Sequence, residues 1–180
     1  MNPRAGAVRR GEGLALVQRS VRRRDYALRR GDRDVGRLRF PTGRRAVAQA
    51  AAEGTGSLAL TASRGGVEVR GGADGGGMVA SVERAGRGAR LIRTGGSATT
   101  GWHRTGWHRW AIRSGDGDLL RFSAVQGLLR SSVRVTAHQD LPEPDGMLLC
   151  LVGGFLALRE LQTEVDGSAS VGGIVASGAG

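Results

Sequence analysis

Short apolar runs separated by glycine-containing turns recur along the chain from residue 14 to residue 138. Several alternate apolar and polar residues with period two, as in 67–70 and 133–136, which is typical of a strand with one buried face. Glycines in the turns permit the positive φ that tight hairpins need. We predict eleven strands: 14–20, 25–29, 35–40, 45–51, 58–63, 67–70, 78–83, 89–93, 107–113, 118–123 and 133–138.

The spacing of these strands, about 8–12 residues, predicts an all-β sandwich or barrel. Two of the predicted hairpins share a pattern. One runs from Tyr26 through a turn at Gly31 to Phe40, and the other from Trp110 through a turn at 115–117 to Phe122. Each has an aromatic residue, an aliphatic residue two positions on, a glycine turn and an Arg-Phe ending, which suggests a repeated unit. The alanine-rich stretch 45–53 is the exception, because a short helix is an alternative there.

The pattern changes after Pro142 and Pro144. Residues 147–158 are apolar on every side, which predicts a helix over 146–164 with Asp145 as its N-cap. A helix of this kind must be buried all round. Gly153 and Gly154 each cost about 1 kcal/mol relative to alanine in a helix, so we expect close packing against them. The apolar run is shorter than the roughly 20 residues that span a membrane, so no transmembrane span is predicted.

The ends of the 180-residue chain have no periodic pattern. We predict a flexible leader over 1–12, a single domain over 13–164, and a disordered Gly/Ser/Ala-rich tail over 165–180. The single cysteine, Cys150, lies in the apolar segment and is predicted to be a core residue.

About a dozen short antiparallel strands followed by one hydrophobic C-terminal helix resemble the tubby C-terminal-like superfamily, which includes phospholipid scramblases and LURP-one-related proteins. The resemblance covers residues 14–164 and rests on strand count, the two hairpins and the apolar segment. It implies a closed antiparallel barrel of about twelve strands around the helix, and a scaffold more than an activity; within the superfamily, tubby-like domains bind phosphoinositides. No diagnostic motif is matched, so it assigns no binding residue. The alternative is a helix on one face of an open sandwich.

Charge narrows the choice of partners. The net charge is +11, and all 27 basic residues are arginine. It is unevenly spread, with +10 in residues 1–50, +6 in 51–138 and −5 in 139–180. The chain contains no lysine, which favours the codon bias of a GC-rich genome as the origin of the positive charge. The functional interpretation of this charge is attraction to the phosphates of lipid or nucleic acid.

Two segments provide candidate binding residues. The first contains Arg22, Arg23, Arg24, Arg29 and Arg30. In a strand Arg22 and Arg24 would share a face, so the alternative is a solvated basic edge that discourages strand pairing.

The second segment is an exact duplication of Thr-Gly-Trp-His-Arg over 100–109. It contributes Trp102, His103, Arg104, Trp107, His108 and Arg109. Such a segment would insert into an interface or stack on bases, or else pack its tryptophans in the core. Histidines five residues apart point to opposite faces of a strand, so no metal site is predicted.

No sequence motif of a hydrolase, metalloprotease or dinucleotide-binding enzyme is found, and Asp116 and Asp118 fall in a predicted turn. We therefore predict a non-enzymatic, cytoplasmic β-barrel that needs no cofactor and binds an anionic phospholipid surface or another ligand through a basic face. A nucleic-acid-binding barrel is the alternative, and a barrel that serves only protein–protein contacts is a third.

Overall fold

The computed structural model describes residues 7–20, 24–41, 46–72, 76–85, 89–95, 99–115, 117–127 and 130–172. These residues form twelve antiparallel strands, each paired with its neighbours in sequence, and β1 pairs with β12 to close a barrel. The elements are β1 (Gly13–Ser20), β2 (Asp25–Arg30), β3 (Arg33–Arg39), β4 (Val47–Ala52), β5 (Gly56–Ala62), β6 (Gly66–Gly71), β7 (Met78–Ala85), β8 (Ala89–Thr94), β9 (Thr99–Gly106), β10 (Arg109–Ser114), β11 (Gly117–Gln126), β12 (Ser131–Ala137) and α1 (Asp145–Gly172).

The predicted closed barrel is confirmed, and the open sandwich is wrong. The alternative helix at 45–53 is also wrong, because this stretch forms β4. Ala48 and Ala50 point inward there and are 0% and 5% exposed. Alanine fits here because α1 packs close to β4, so the space between these two elements admits only small side chains.

The strand that the sequence did not predict is β9, in the duplicated segment. The prediction placed a strand at 107–113, whereas β10 begins at Arg109 because Trp107 and His108 form the turn from β9. His108 has a φ of 51°, a left-handed conformation that few non-glycine residues adopt. The two similar hairpins are β2–β3 and β10–β11, and both have a register shift after the inward aliphatic residue, Leu28 or Ile112.

The helix α1 runs through the barrel, and its side chains over residues 147–152 and 155–158 are at most 6% exposed. The barrel wall packs directly on the two glycines. A Cβ on Gly153 would lie 2.2 Å from Cζ of Phe122, and one on Gly154 would lie 2.1 Å from Cδ1 of Leu16. The predicted close packing is confirmed, and any larger residue would displace the side chain of Phe122 or Leu16. Cys150 is fully buried, and burial raises the pKa of its thiol to about 12.

One end of the barrel is closed by the chain that precedes β1; we call it the plugged end. Val8 pairs with Leu141, with N–O distances of 3.0 and 2.7 Å, and both contact Gly146 at the start of α1. The Arg10 amide donates to Asp140 at 2.7 Å. The predicted flexible leader is therefore wrong over residues 7–12, because a single buried valine (1% exposed) anchors them. Residues 1–6 lie outside the described residues.

The other end, where α1 leaves the barrel, is the exit end. The helix continues to Gly172, which differs from the predicted disordered tail that begins at 165. No proline interrupts this stretch, and glycine alone weakens a helix without ending it. Residues 173–180 lie outside the described part of the chain. By length and composition Asp145–Glu164 could cross a membrane, but 78% of it is buried inside the barrel.

Candidate functional site

The connections at the two ends of the barrel have opposite charges. Since the strands form a meander, every second connection lies at the same end. Among the described residues, the exit-end connections contain three arginines and no acidic residue: Arg24, Arg64 and Arg130. The described residues of the plugged-end connections contain four acidic residues and no arginine: Asp32, Glu53, Asp140 and Glu143. The segment 7–12 adds Arg9, Arg10 and Glu12 at the plugged end.

Glu160 on α1 anchors the helix at the exit end. The indole N–H of Trp102 donates to Glu160 Oε1 at 3.1 Å, and that of Trp110 donates to Oε2 at 2.5 Å. Arg90 completes the set at 3.2 Å from Oε1. The two indoles are stacked 6.0 Å apart and are 1% and 0% exposed. Trp102 is therefore a core residue, and the prediction that it contacts a partner is wrong, because it points inward from β9.

A second layer of polar contacts lies one helical turn farther along α1. Glu164 meets Arg104 Nη2 at 2.7 Å and His108 Nε2 at 3.1 Å. Arg24 Nη1 donates to the side-chain oxygen of Gln162 at 3.1 Å. These contacts hold the helix to β9 and to the segment before β2. Three of the predicted binding residues thus surround the exiting helix.

Trp107 is the most exposed large apolar residue in the described part of the chain, at 74%. Its ring stacks on His108 at 4.8 Å, and the Arg104 guanidinium lies 5.7 Å from the ring centre. Val47 and Val125, also exposed, lie near the exit end as well, at the start of β4 and near the end of β11. Apolar side chains and arginines therefore share one rim.

The two predicted segments meet only in part. Arg24 lies at the exit end with Arg104 and His108, but Arg29 and Arg30 lie at the plugged end of β2. There Arg29 is 3.3 Å from Asp34, and Arg30 is 2.5 Å from Glu12. The predicted basic face over 22–30 is therefore wrong as one surface, because the six residues of β2 separate its ends by roughly 17 Å. Arg22 and Arg23 lie outside the described residues.

The remaining two candidates lie on the outer wall. His103 is half-buried against Gly101, where an added Cβ would be 2.4 Å from its Nε2. Arg109 is exposed at the start of β10. Within the described residues no group of three or more His, Cys, Asp or Glu side chains is placed to hold a metal ion.

Sequence reasoning missed Glu160, Glu164, Arg90 and the exposed arginines Arg64 and Arg130. The helix carboxylates are recognisable only after the helix is placed inside the barrel. The arginines could have been found, because summing charge over alternate turns of a predicted meander separates the two ends.

No protein-family model, no curated protein and no solved structure matches this chain. The resemblance to the tubby C-terminal-like superfamily therefore stays a prediction. Function has to be inferred from the geometry and charge of the chain itself.

Proposed function

We propose that this protein is a peripheral membrane-binding barrel that docks its exit end on an anionic lipid surface. The observation that carries the proposal is the separation of charge between the two sets of connections. A molecule with arginines at one end and carboxylates at the other is oriented by the field of an anionic membrane before contact. Each arginine near such a surface contributes about 1 kcal/mol, so several are enough for reversible binding.

Trp107 supplies the apolar part of the contact. An indole prefers the boundary between lipid headgroups and acyl chains, and this one projects from a two-residue turn at the arginine-rich rim. Val47 and Val125 would add apolar surface near the same rim. Tubby-like domains, which this chain resembles, bind phosphoinositides, and we propose membership of the tubby C-terminal-like superfamily together with this function.

The test is co-sedimentation of the full chain with phosphatidylcholine vesicles and with vesicles containing phosphatidylserine, at low and high salt. Replacing Arg64 and Arg130 together by glutamine should weaken binding to the anionic vesicles at least tenfold. The matched control replaces Arg9 and Arg10, two exposed arginines at the plugged end, and should bind like the wild type. Equal loss in both variants would show a diffuse polycation effect and overturn the proposal.

The variant Trp107→Ser distinguishes insertion of the indole into the membrane from electrostatic attraction of the arginines to it. We expect this variant to keep the salt dependence of binding but to dissociate faster, because the apolar contact is lost while the charge is unchanged. Unlabelled single-stranded RNA serves as a competitor in the same assay. If the wild type binds RNA more tightly than anionic vesicles and Trp107→Ser abolishes that preference, Trp107 stacks on bases and the membrane proposal is wrong.

A further inference from the structure

A groove of about 530 Å³ lies on the outer wall of the barrel, across β10, β11 and β12. Arginines from all three strands line it: Arg109 and Arg113 from β10, Arg121 from β11 and Arg134 from β12. It extends along the wall from Thr105 and Arg109, next to the exit end, to Asp118 and His138 near the plugged end. Most of its lining lies on the wall, away from the connections that form the proposed membrane contact.

The strand register places Ser123 between two of these arginines. Ser123 on β11 is the partner of both Arg109 on β10 and Arg134 on β12. Neighbouring strands are about 4.8 Å apart, so the backbones of Arg109 and Arg134 are about 10 Å apart with the serine hydroxyl between them. Two guanidinium groups on long side chains can converge over a short hydroxyl from this spacing.

Among the described residues that line it, the groove carries more positive than negative charge. Asp118 is its one carboxylate among the described residues, and it accepts from Nε of Arg113 and from Nε of Arg121, both at 2.6 Å. Within the described residues, the side chains of Arg109 and Arg134 make no hydrogen bond or ion pair. Four guanidinium groups therefore share one carboxylate.

Asp118 neutralises part of the positive charge of the groove. Burial raises the pKa of Asp118, but hydrogen bonds from Arg121 and Arg113 outweigh burial and hold the pKa below its ordinary value. The carboxylate is therefore ionised at neutral pH, and it fixes two of the guanidinium groups at one side of the groove. The two arginines without a partner are left to meet a ligand.

The opposite arrangement is found on the wall formed by β1, β2 and β3. There Arg19 and Arg29 pair with Asp34, and Arg37 pairs with Asp25. On that wall each of these three arginines meets a carboxylate, so three guanidinium groups share two carboxylates. The groove over β10–β12 uses similar strands but leaves two arginines without a carboxylate.

We propose that this groove binds a phosphate monoester, with Arg109 and Arg134 on either side of the phosphate and the Ser123 hydroxyl donating to it. A phosphate dianion suits the site because its three terminal oxygens can accept from both guanidinium groups and from the Ser123 hydroxyl at once, and its double negative charge matches the two arginines. Arg113 and Arg121, already held by Asp118, add fixed positive charge. This proposal does not depend on the membrane proposal.

The experiment is isothermal titration calorimetry of the full chain in solution with inorganic phosphate and with pyrophosphate, without any vesicle. We expect binding that is lost at least tenfold in Arg134→Gln and in Arg109→Gln, and Arg134→Lys should be intermediate because lysine keeps the charge but not the fork. The matched control is Arg93→Gln, the same charge change at an exposed arginine of β8. No binding by the wild type, or equal loss in the control, would overturn the proposal.

A phosphate monoester can belong to a soluble molecule or to a lipid headgroup, and a second arm distinguishes these sources. Vesicles of phosphatidic acid present a monoester, and vesicles of phosphatidylglycerol at matched surface charge present a diester. Preference for phosphatidic acid that disappears in Arg134→Gln assigns the ligand to a headgroup. Calorimetric binding without this preference assigns it to a soluble molecule. Because calorimetry uses no membrane, failure of the groove and failure of exit-end docking give different results.

Discussion

The two ends of this barrel hold the same helix with different chemistry. At the plugged end Val8 and Leu141 close the barrel over Gly146 with apolar contacts and a pair of backbone hydrogen bonds. At the exit end Glu160 and Glu164 hold the helix through indole, guanidinium and imidazole groups. The plugged end thus excludes water, whereas the exit end keeps charged groups at the surface.

This difference explains where charge can accumulate. After Asp145 the helix is apolar over 147–158 and carries charge again from Arg159 onward, so Glu160 and Glu164 reach the wall at the exit end. Those carboxylates neutralise arginines that face the helix, and among the described residues Arg64 and Arg130 are exposed in the connections. We infer that the plugged end serves stability and the exit end serves binding.

We expect the largest effect from removing α1, the helix that both ends of the barrel hold. A chain that ends at Asp145 loses the occupant of the barrel, so the inward side chains of the strands would surround a cavity. We expect no cooperative unfolding transition in this fragment by circular dichroism. A fragment that melts cooperatively would mean that the barrel does not need its helix and that neither end matters to stability.

Glu160→Leu tests the exit end. Two buried indole N–H groups would lose their acceptor, at about 1–3 kcal/mol each, so we expect a loss of roughly 3 kcal/mol in the free energy of unfolding. Glu160→Gln keeps one oxygen acceptor and should lose less. Urea denaturation measures both variants, and equal stability of the Leu variant and the wild type would show that the indoles need no partner.

Val8→Ala tests the plugged end. Removing two methyl-sized groups from a residue that is 1% exposed should cost about 2 kcal/mol. Arg9→Ala, on the exposed neighbour, should change stability by less than about 0.5 kcal/mol. If the two variants are equally stable, the segment 7–12 does not plug the barrel. Neither change should alter binding to anionic vesicles, because both lie at the far end from the exit rim.

The sequence predicted most of this architecture for one physical reason. Period-two alternation reports burial directly, as in Val133 and Val135, and an all-apolar helix has to be enclosed, so strands and helix together required a closed barrel. It failed at β9 because Gly101 and Gly106 interrupt the alternation around Trp102. The sequence also did not predict that Val8 is buried, because a single apolar residue in a polar segment produces no periodic pattern.

The candidate sites were less accessible to sequence reasoning. Arg29 and Arg30 are close to Arg24 in sequence but lie at the opposite end of the barrel, because β2 extends from one end to the other. The groove depends on Arg109 and Arg134 both meeting Ser123, which is set by the register of three strands. Register results from packing of the whole barrel, so no local pattern contains it.

We expect the smallest effect from replacing one carboxylate near each end of the barrel: Asp25 at the start of β2 and Asp118 near the start of β11. The hydrogen bond from Arg37, followed in effect by burial that opposes it, leaves the pKa of Asp25 below its ordinary value. The pKa of Asp118 is lowered too, where Arg121 and Arg113 outweigh burial. A carboxyl whose folded pKa lies below its unfolded value stabilises the protein above the unfolded value. That contribution is lost as pH falls through the folded pKa.

Asp25→Asn and Asp118→Asn should therefore each lower stability by about 1 kcal/mol near neutral pH, and the difference from the wild type should shrink toward about pH 2 as the wild-type carboxyls become protonated. Thermal melts of the three proteins across this pH range measure the effect. A difference that stays constant with pH would mean that the asparagines act through shape rather than lost charge. Similar profiles for both variants would show that paired carboxylates contribute alike at both ends. The contrast between the ends would then rest on how they hold the helix and on the arginines that are left without a carboxylate.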